Sequence, residues 1–274
     1  MRAPLASVAM EIGGATVLLT GASGGIGKAI ARALDARGAR LLVSGRRSDV
    51  LEDVRTELGG RPEVIEADLA DAAGAAALAE RAGAVDVLVA NAGLPASGLL
   101  DDFSPTEIDR ALDVNLRAPM QLTRALLPGM QERGRGHLVY VSSLSGKIAS
   151  AGSTVYSATK YGLRGFAAGL YEDLHGSGVG VTVVSPGFVS GEGMFAETGV
   201  KLRPGVGLVT PQEVAAAVVR GVQEERAEID VAPLALRVGA VAAALAPGPV
   251  GALQRKLGSR ELAARIAEAQ RVKR

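Results

Sequence analysis

The stretch Ala15-Thr-Val-Leu-Leu-Thr-Gly-Ala-Ser-Gly-Gly-Ile-Gly-Lys28 decides the fold. A short apolar run, Val17-Leu-Leu-Thr20, meets four glycines at positions 21, 24, 25 and 27. An alanine-rich pattern with Ile26, Ile30, Ala33 and Leu34 at helical spacing follows at once. Strand, glycine turn and helix together aim backbone N–H groups and a helix N-terminus at an anion, usually a phosphate. Glycine serves there because a side chain would forbid positive φ or block the ligand.

Four readings of this turn compete. A dinucleotide fold needs spaced glycines after its first strand, although the spacing here is G-x-x-x-G-x-G and not G-x-G-x-x-G. A P-loop fails twice, with Ala22 at the first glycine and Ala29 at the magnesium-binding hydroxyl. Gly21-Ala-Ser23-Gly-Gly25 formally matches a hydrolase nucleophile elbow, but that class needs a later acid and histidine, and only His137 and His175 exist. The fourth reading is a tight strand–helix turn with no ligand, for which four glycines are a heavy entropic cost.

Composition removes other classes. The 274 residues carry 30 basic and 29 acidic side chains, so bulk attraction to nucleic acid is not expected. With no cysteine and two distant histidines, thiol chemistry, disulfides and a metal site are not expected either. The short N-terminal segment before the first strand leaves no room for a cleaved leader, and the apolar run Val238–Leu253 contains Pro247 and Pro249. A cytoplasmic protein is the resulting expectation.

Down the chain, near-continuous Val/Leu runs alternate with helical patterns. Leu41–Ser44, Glu63–Ala67, Val85–Ala90, His137–Val141 and Val181–Ser185 read as further buried strands, with Glu228–Val231 a final edge strand. The architecture is α/β, a Rossmann-like doubly wound parallel sheet. Ser104-Pro-Thr-Glu107 and Thr210-Pro-Gln-Glu213 are capping boxes that open helices, the first running past Asn115 with a kink or break at Pro119. Residues 188–209 read as an irregular lid over a substrate pocket. Residues 1–230 form one domain, and 231–274 a C-terminal extension, first apolar and then basic. An apolar stripe of Leu262, Ile266 and Ala269 suits a helix docking on the same domain or a neighbouring subunit, the alternative being contact with a membrane surface.

Tyr156-Ser-Ala-Thr-Lys160 sets a phenol and an ammonium one helical turn apart. A nearby ammonium favours phenolate and brings a tyrosine pKa towards the working range. In a doubly wound sheet ligands sit outside the carboxyl ends of the strands, where Asn91-Ala-Gly93, Ser142-Ser143 and Tyr156 all converge. Taken singly, Ser143 is equally a turn cap and Asn115 a satisfied helical amide.

Thr20-Gly-Ala-Ser-Gly-Gly-Ile-Gly27, Asn91-Ala-Gly93, Asn115, Ser143, Tyr156-x-x-x-Lys160 and Pro186-Gly187 together resemble the classical short-chain dehydrogenase/reductase family, from about residue 13 to 230. The resemblance implies hydride transfer between a nicotinamide cofactor and an alcohol or carbonyl. It implies Tyr156 as general acid/base, Lys160 lowering its pKa and binding the nicotinamide ribose, Ser143 bonding the substrate oxygen and Asn115 holding a water of a proton relay. It places the cofactor on Gly21, Ser23, Gly24, Gly25, Ile26 and Gly27, on Asp68, Leu69, Asn91, Ala92 and Gly93, and on Pro186, Gly187 and Val189. A homodimer or homotetramer through the helices carrying Asn115 and Tyr156 is typical of the family.

The corner after the second strand reads Ser44-Gly45-Arg46-Arg47, without the acid that would bond a ribose 2′-hydroxyl. Arg46, with Ser44 or Arg47 assisting, offers a contact to a 2′-phosphate, so NADP(H) is expected over NAD(H). The chain departs from the family after Pro186-Gly187, where Val189-Ser190-Gly191 replaces the usual threonine. Ser190 from a shifted loop, or the Val189 backbone, would then hold the carboxamide. Met194, Phe195, Val200, Leu202 and Val206 suggest an apolar pocket wall and a hydrophobic substrate. The rival readings are a non-catalytic NADP(H)-binding scaffold and an epimerase or dehydratase of the extended relatives. The intact Asn115, Ser143, Tyr156 and Lys160 weigh against the first, and the glycine spacing against the second.

Overall fold

The computed structural model describes residues 9–200, 202 and 207–271. Its centre is a seven-stranded, all-parallel sheet formed by β1 (Thr16–Thr20), β2 (Arg40–Gly45), β3 (Glu63–Glu66), β4 (Val87–Ala90), β5 (Gly136–Val141), β6 (Val179–Pro186) and β7 (Glu228–Val231). The strand order is β3-β2-β1-β4-β5-β6-β7. The order reverses between β1 and β4, which are paired through Val17, Leu18 and Leu19. That reversal opens a crevice at the strands' carboxyl ends.

Helices cover both faces. On one side α1 (Gly25–Asp35), α2 (Ser48–Glu57) and α7 (Pro211–Glu224) enclose Val17, Leu19, Ile30, Leu34, Val43 and Val218, all fully buried. On the other, α3 (Ala72–Ala82), α5 (Ala118–Glu132) and α6 (Thr154–Asp173) enclose Leu18, Leu88, Leu122, Leu138 and Tyr140. Alternate residues of β1 thus serve opposite cores, the period-two rule applied to a strand buried on both faces. Both expected capping boxes form, Ser104 with Glu107 and Thr210 with Glu213.

The helix through Asn115 is interrupted, as Pro119 suggests, but not by a kink at the proline. α4 (Pro105–Leu112) passes into a π-helical turn, Asp113–Arg117, before α5 begins. Pro119 has no N–H for the Asn115 carbonyl, and its ring crowds the same group. The wider turn relieves that crowding.

The extension is three helices: α8 (Leu234–Leu245), α9 (Pro247–Lys256) and α10 (Ser259–Gln270). On α10 the buried residues are Ala267 and Gln270, whereas Ala269 is exposed and Leu262 and Ile266 are half-buried. The face turned inward is therefore rotated from the expected Leu262, Ile266, Ala269 stripe, with Ala263 seated close against Gly152. No described helix is long and apolar enough to cross a membrane.

Candidate active site

The glycine turn is held from β4. Thr20 accepts the N–H groups of both Asn91 and Ala92 at 3.1 Å, and the Asn91 amide donates to the carbonyls of Thr20 and Gly21 at 3.1 Å. Gly21 has φ +67°, and a Cβ there would lie 2.7 Å from Ala92 Cα. A Cβ at Gly27 would strike the Gly21 carbonyl and stand 2.7 Å from Ala22 Cα. Two of the glycines are thus demanded by the chain's own packing. Gly25 differs: the backbone that a Cβ there would meet belongs to the loop, with the Glu192 carbonyl carbon at 2.8 Å and oxygen at 2.9 Å. The loop following β6 lies directly on the face of the turn.

At the end of β2 the three expected residues part company. Arg46 is exposed with no carboxylate beside it in sequence. Arg47 donates to the Ser23 carbonyl at 2.8 Å, bracing the turn. Ser44 is wholly buried, its hydroxyl without a partner, and its carbonyl accepts the Ala22 N–H at 3.1 Å. Ser44 is thus enclosed within the sheet, whereas Arg46, one residue past the end of β2, is exposed. Asp68 is exposed and forms a local turn through the Ala70 N–H at 3.0 Å, while the Leu69 side chain is buried. Leu69 therefore offers only its backbone to a ligand.

The catalytic candidates assemble across the same crevice. Ser143 follows β5 and caps the short turn Leu144–Gly146 by accepting the Ser145 N–H at 3.1 Å. Its hydroxyl also bonds the Tyr156 phenol. Lys160 is buried, with Nζ 3.1 Å from the Val141 carbonyl and 5.7 Å from the centre of the Tyr156 ring. Gly93 faces this group: a Cβ on it would lie 3.4 Å from Asn115 Oδ1 and 3.8 Å from Lys160 Nζ.

Electrostatics differ from the expectation for a lysine beside a tyrosine. Burial pushes the Tyr156 phenol up to about 12, with the Ser143 bond pulling the other way. Burial likewise pushes the Lys160 ammonium down to about 8. Desolvation penalises both charged forms and is the first cause of each shift. Tyr156 is therefore a protonated acid at neutral pH.

Asn115 resolves the two readings of a helical amide. Its side chain is held by three bonds: Oδ1 accepts the Leu94 N–H at 2.7 Å, and Nδ2 donates to the Leu94 carbonyl at 3.0 Å and to Thr159 Oγ1 at 3.4 Å. Pro119, four residues on, denies the Asn115 main-chain carbonyl its α-helical donor. Leu94 and Thr159 were not singled out by sequence, though Thr159 lies inside the Tyr156–Lys160 motif and faces back to the Tyr156 carbonyl at 2.8 Å.

The substrate side is formed by the loop after Pro186-Gly187. Val189 is buried and bridges to Val209, and the Ser190 hydroxyl donates to the Val209 carbonyl at 3.1 Å. Ser190 therefore braces the loop's base. Met194 Cε approaches the Gly93 position, at 3.5 Å from a Cβ built there, and Phe195 stacks on Phe188 with ring centres 4.8 Å apart. Val200 and Leu202 are half-buried; Val206 lies outside the described residues. Gln270 of α10, unflagged by any sequence pattern, donates to the Met194 carbonyl at 3.0 Å. Among the described residues no group of acids and histidines is placed to hold a metal.

Comparison with known proteins agrees with this geometry. Residues 15–203 match the family model of the short chain dehydrogenases. The chain is 40% identical over 223 residues to the ketoacyl reductase HetN of Nostoc sp. (strain PCC 7120 / SAG 25.82 / UTEX 2576), covering 79% of this chain and 78% of that one. It is 39% identical over 181 residues to the NADP-dependent 3-hydroxy acid dehydrogenase YdfG of Salmonella typhi, covering 64% and 73%. Among solved structures, a metagenomic short-chain oxidoreductase in complex with NADP superposes with a TM-score of 0.69 at 33% identity, over 82% of this chain and 99% of the other. The chain belongs to the short-chain dehydrogenase/reductase family of oxidoreductases.

Proposed function

We propose that the protein is an NADP(H)-dependent oxidoreductase that reduces a carbonyl, or oxidises a secondary alcohol, on a hydrophobic small molecule. The observation that carries this reading is the convergence of Ser143, Tyr156 and Lys160 beside a glycine cradle whose neighbouring strand ends in an exposed Arg46. The cradle suits a dinucleotide: Gly24, Gly25 and Gly27 leave the N-terminus of α1 without side chains, and Glu192 of the loop lies against Gly25 at the edge of that cradle. Gly21, Ser23, Gly24, Gly25, Ile26 and Gly27 would hold the phosphates, Arg46 a 2′-phosphate, and Asp68, Leu69, Asn91, Ala92 and Gly93 the adenosine side. Pro186, Gly187 and Val189 would line the nicotinamide. When bound, the nicotinamide supplies or accepts the hydride.

In the reductive direction the Ser143 hydroxyl bonds the substrate oxygen and orients it towards the phenol. Tyr156 then gives that oxygen its proton, a role suited to a phenol that burial keeps protonated. The Lys160 ammonium stabilises the phenolate left behind and binds the nicotinamide ribose. The Asn115 carbonyl, without an N–H from Pro119, is placed to hold the water that returns the proton. For the oxidative direction the same Tyr156 must lose its proton first. Phe188, Met194 and Phe195 supply an apolar wall, which favours a hydrophobic substrate over a polar one. The family resemblance and exposed Met120 and Tyr161 on α5 and α6 support a homodimer or homotetramer through these helices.

The test is NADPH oxidation across a panel of aliphatic, aromatic and polycyclic ketones, with Tyr156→Phe as control. General acid catalysis predicts a loss of roughly a hundredfold or more in kcat on removing the phenolic proton. Turnover that survives in Tyr156→Phe would refute the assignment. A chain that binds NADPH and turns over no carbonyl would favour the scaffold reading.

A further inference from the structure

The extension carries a surface that the reaction does not use. Along α8, Leu234, Val238, Val241 and Leu245 fall at i, i+4, i+7 and i+11, a single line on one side of the helix. That line faces outward, the four side chains being 71, 58, 62 and 83% exposed. Leu253 on α9, which packs against α8, is 56% exposed. The opposite side of α8 meets the domain, with Ala240 buried and Leu236 near Gly187. A helix on a globular domain ordinarily turns such a line inward, and a contiguous apolar patch left outside marks an interaction surface.

Charge distinguishes the occupant. Between Asp230 and Glu261 the chain has four cations, Arg237, Arg255, Lys256 and Arg260, and no carboxylate. All four are exposed, and none of them is ion-paired among the described residues. A second copy seated on the same face would bring these cations against their own equivalents with no acid to answer them. An anionic lipid surface satisfies both features at once: acyl chains receive the apolar line, and headgroups receive the cations. The two helices, 12 and 10 residues long, are too short to cross a bilayer and would lie along it.

We propose that α8 and α9 dock the protein on an anionic membrane surface, a property independent of which substrate the site takes. The purified full-length chain would be floated with vesicles of phosphatidylcholine alone and of phosphatidylcholine mixed equally with phosphatidylglycerol. Flotation with the anionic vesicles only, weakened by high salt, is the expected result. Each cation removed should lower the partition coefficient roughly fivefold, so Arg255→Gln with Lys256→Gln should lower it about 25-fold. Val241→Ser with Leu245→Ser should lower it about tenfold or more, since both lose apolar burial in the acyl boundary. All four sites are exposed, so thermal melts should match the parent; were one pair to unfold, the other pair still decides. Failure of the parent chain to float with anionic vesicles overturns the proposal, as does flotation that both pairs leave unchanged. A fall in molar mass by light scattering in Val241→Ser with Leu245→Ser, without lipid binding by the parent, would instead identify the face as a contact between copies.

Discussion

Acidification should unfold this protein through a histidine that takes no part in its chemistry. His137 is fully buried on β5, one strand from the crevice, and its Nε2 lies 2.9 Å from Thr182 Oγ1. Thr182 donates its own proton to the Arg226 carbonyl at 2.7 Å, so Nε2 must carry the hydrogen and Nδ1 must be bare. Nδ1 is buried without a partner against Gly180, where a proton would find no acceptor. Burial accordingly pushes the imidazole from 6.5 down to about 4. A folded state that resists protonation loses stability as pH falls: the contribution is complete above pH 6.5 and is lost as pH descends to about 4. At about 1.4 kcal/mol per pH unit the loss is roughly 3 kcal/mol over that window, a large share of an ordinary domain's stability. Urea unfolding at a series of pH values, on the parent and on His137→Gln, isolates the effect, because carboxylates titrate alike in both. The parent should lose roughly 3 kcal/mol more than the variant between neutrality and pH 4. Equal slopes would show that His137 accepts a proton in the folded protein and would refute the reasoning.

Four further outcomes follow from the site and its frame. Arg46→Ala should cost roughly 10- to 100-fold in kcat/KM with NADPH and leave NADH unchanged, because a charge-assisted bond to the 2′-phosphate is lost; an unaltered NADPH/NADH ratio would remove Arg46 from cofactor choice. Carbonyl reduction should decline as pH rises through about 8, where the buried Lys160 ammonium gives up its proton, and Lys160→Arg should move that decline upward if the variant folds; a profile flat across this range would disconnect the lysine from the rate. Gly27→Ala, whose Cβ meets unyielding backbone at the turn, should destabilise by about 3 kcal/mol. Gly239→Ala on α8 meets nothing within 4 Å and should be neutral or stabilising by up to ~1 kcal/mol in thermal melts.

Which parts of this molecule could be read in advance depended on whether a residue's role was local or relational. Strand, glycine turn and capping boxes were legible because each is a few residues obeying its own rule, and Gly21, Ser104 and Thr210 do what their neighbours dictate. The exposure of Arg46 was legible for the same reason, since it follows directly on the end of β2. Ser44 was not: whether its hydroxyl faces the crevice or the core is set by sheet register and by α-helical cover on both faces, and the structure buries it. Asn115 shows the limit most clearly. Its identity suggested an amide waiting for a ligand, yet Leu94 and Thr159, 21 and 44 residues away, take both of its N–H donors and one acceptor position. The group it releases is a main-chain carbonyl, and the residue responsible is Pro119, four positions on, which contributes only by lacking a hydrogen. The tyrosine carries the same lesson in electrostatics. Spacing alone set an ammonium one turn from a phenol and argued for a lowered pKa, whereas desolvation, a property of the completed fold, raises it to about 12. The buried phenol is therefore a neutral acid at pH 7. Burial favours the proton donor that carbonyl reduction calls for, whereas alcohol oxidation needs positive charge beside Tyr156 to draw that proton off.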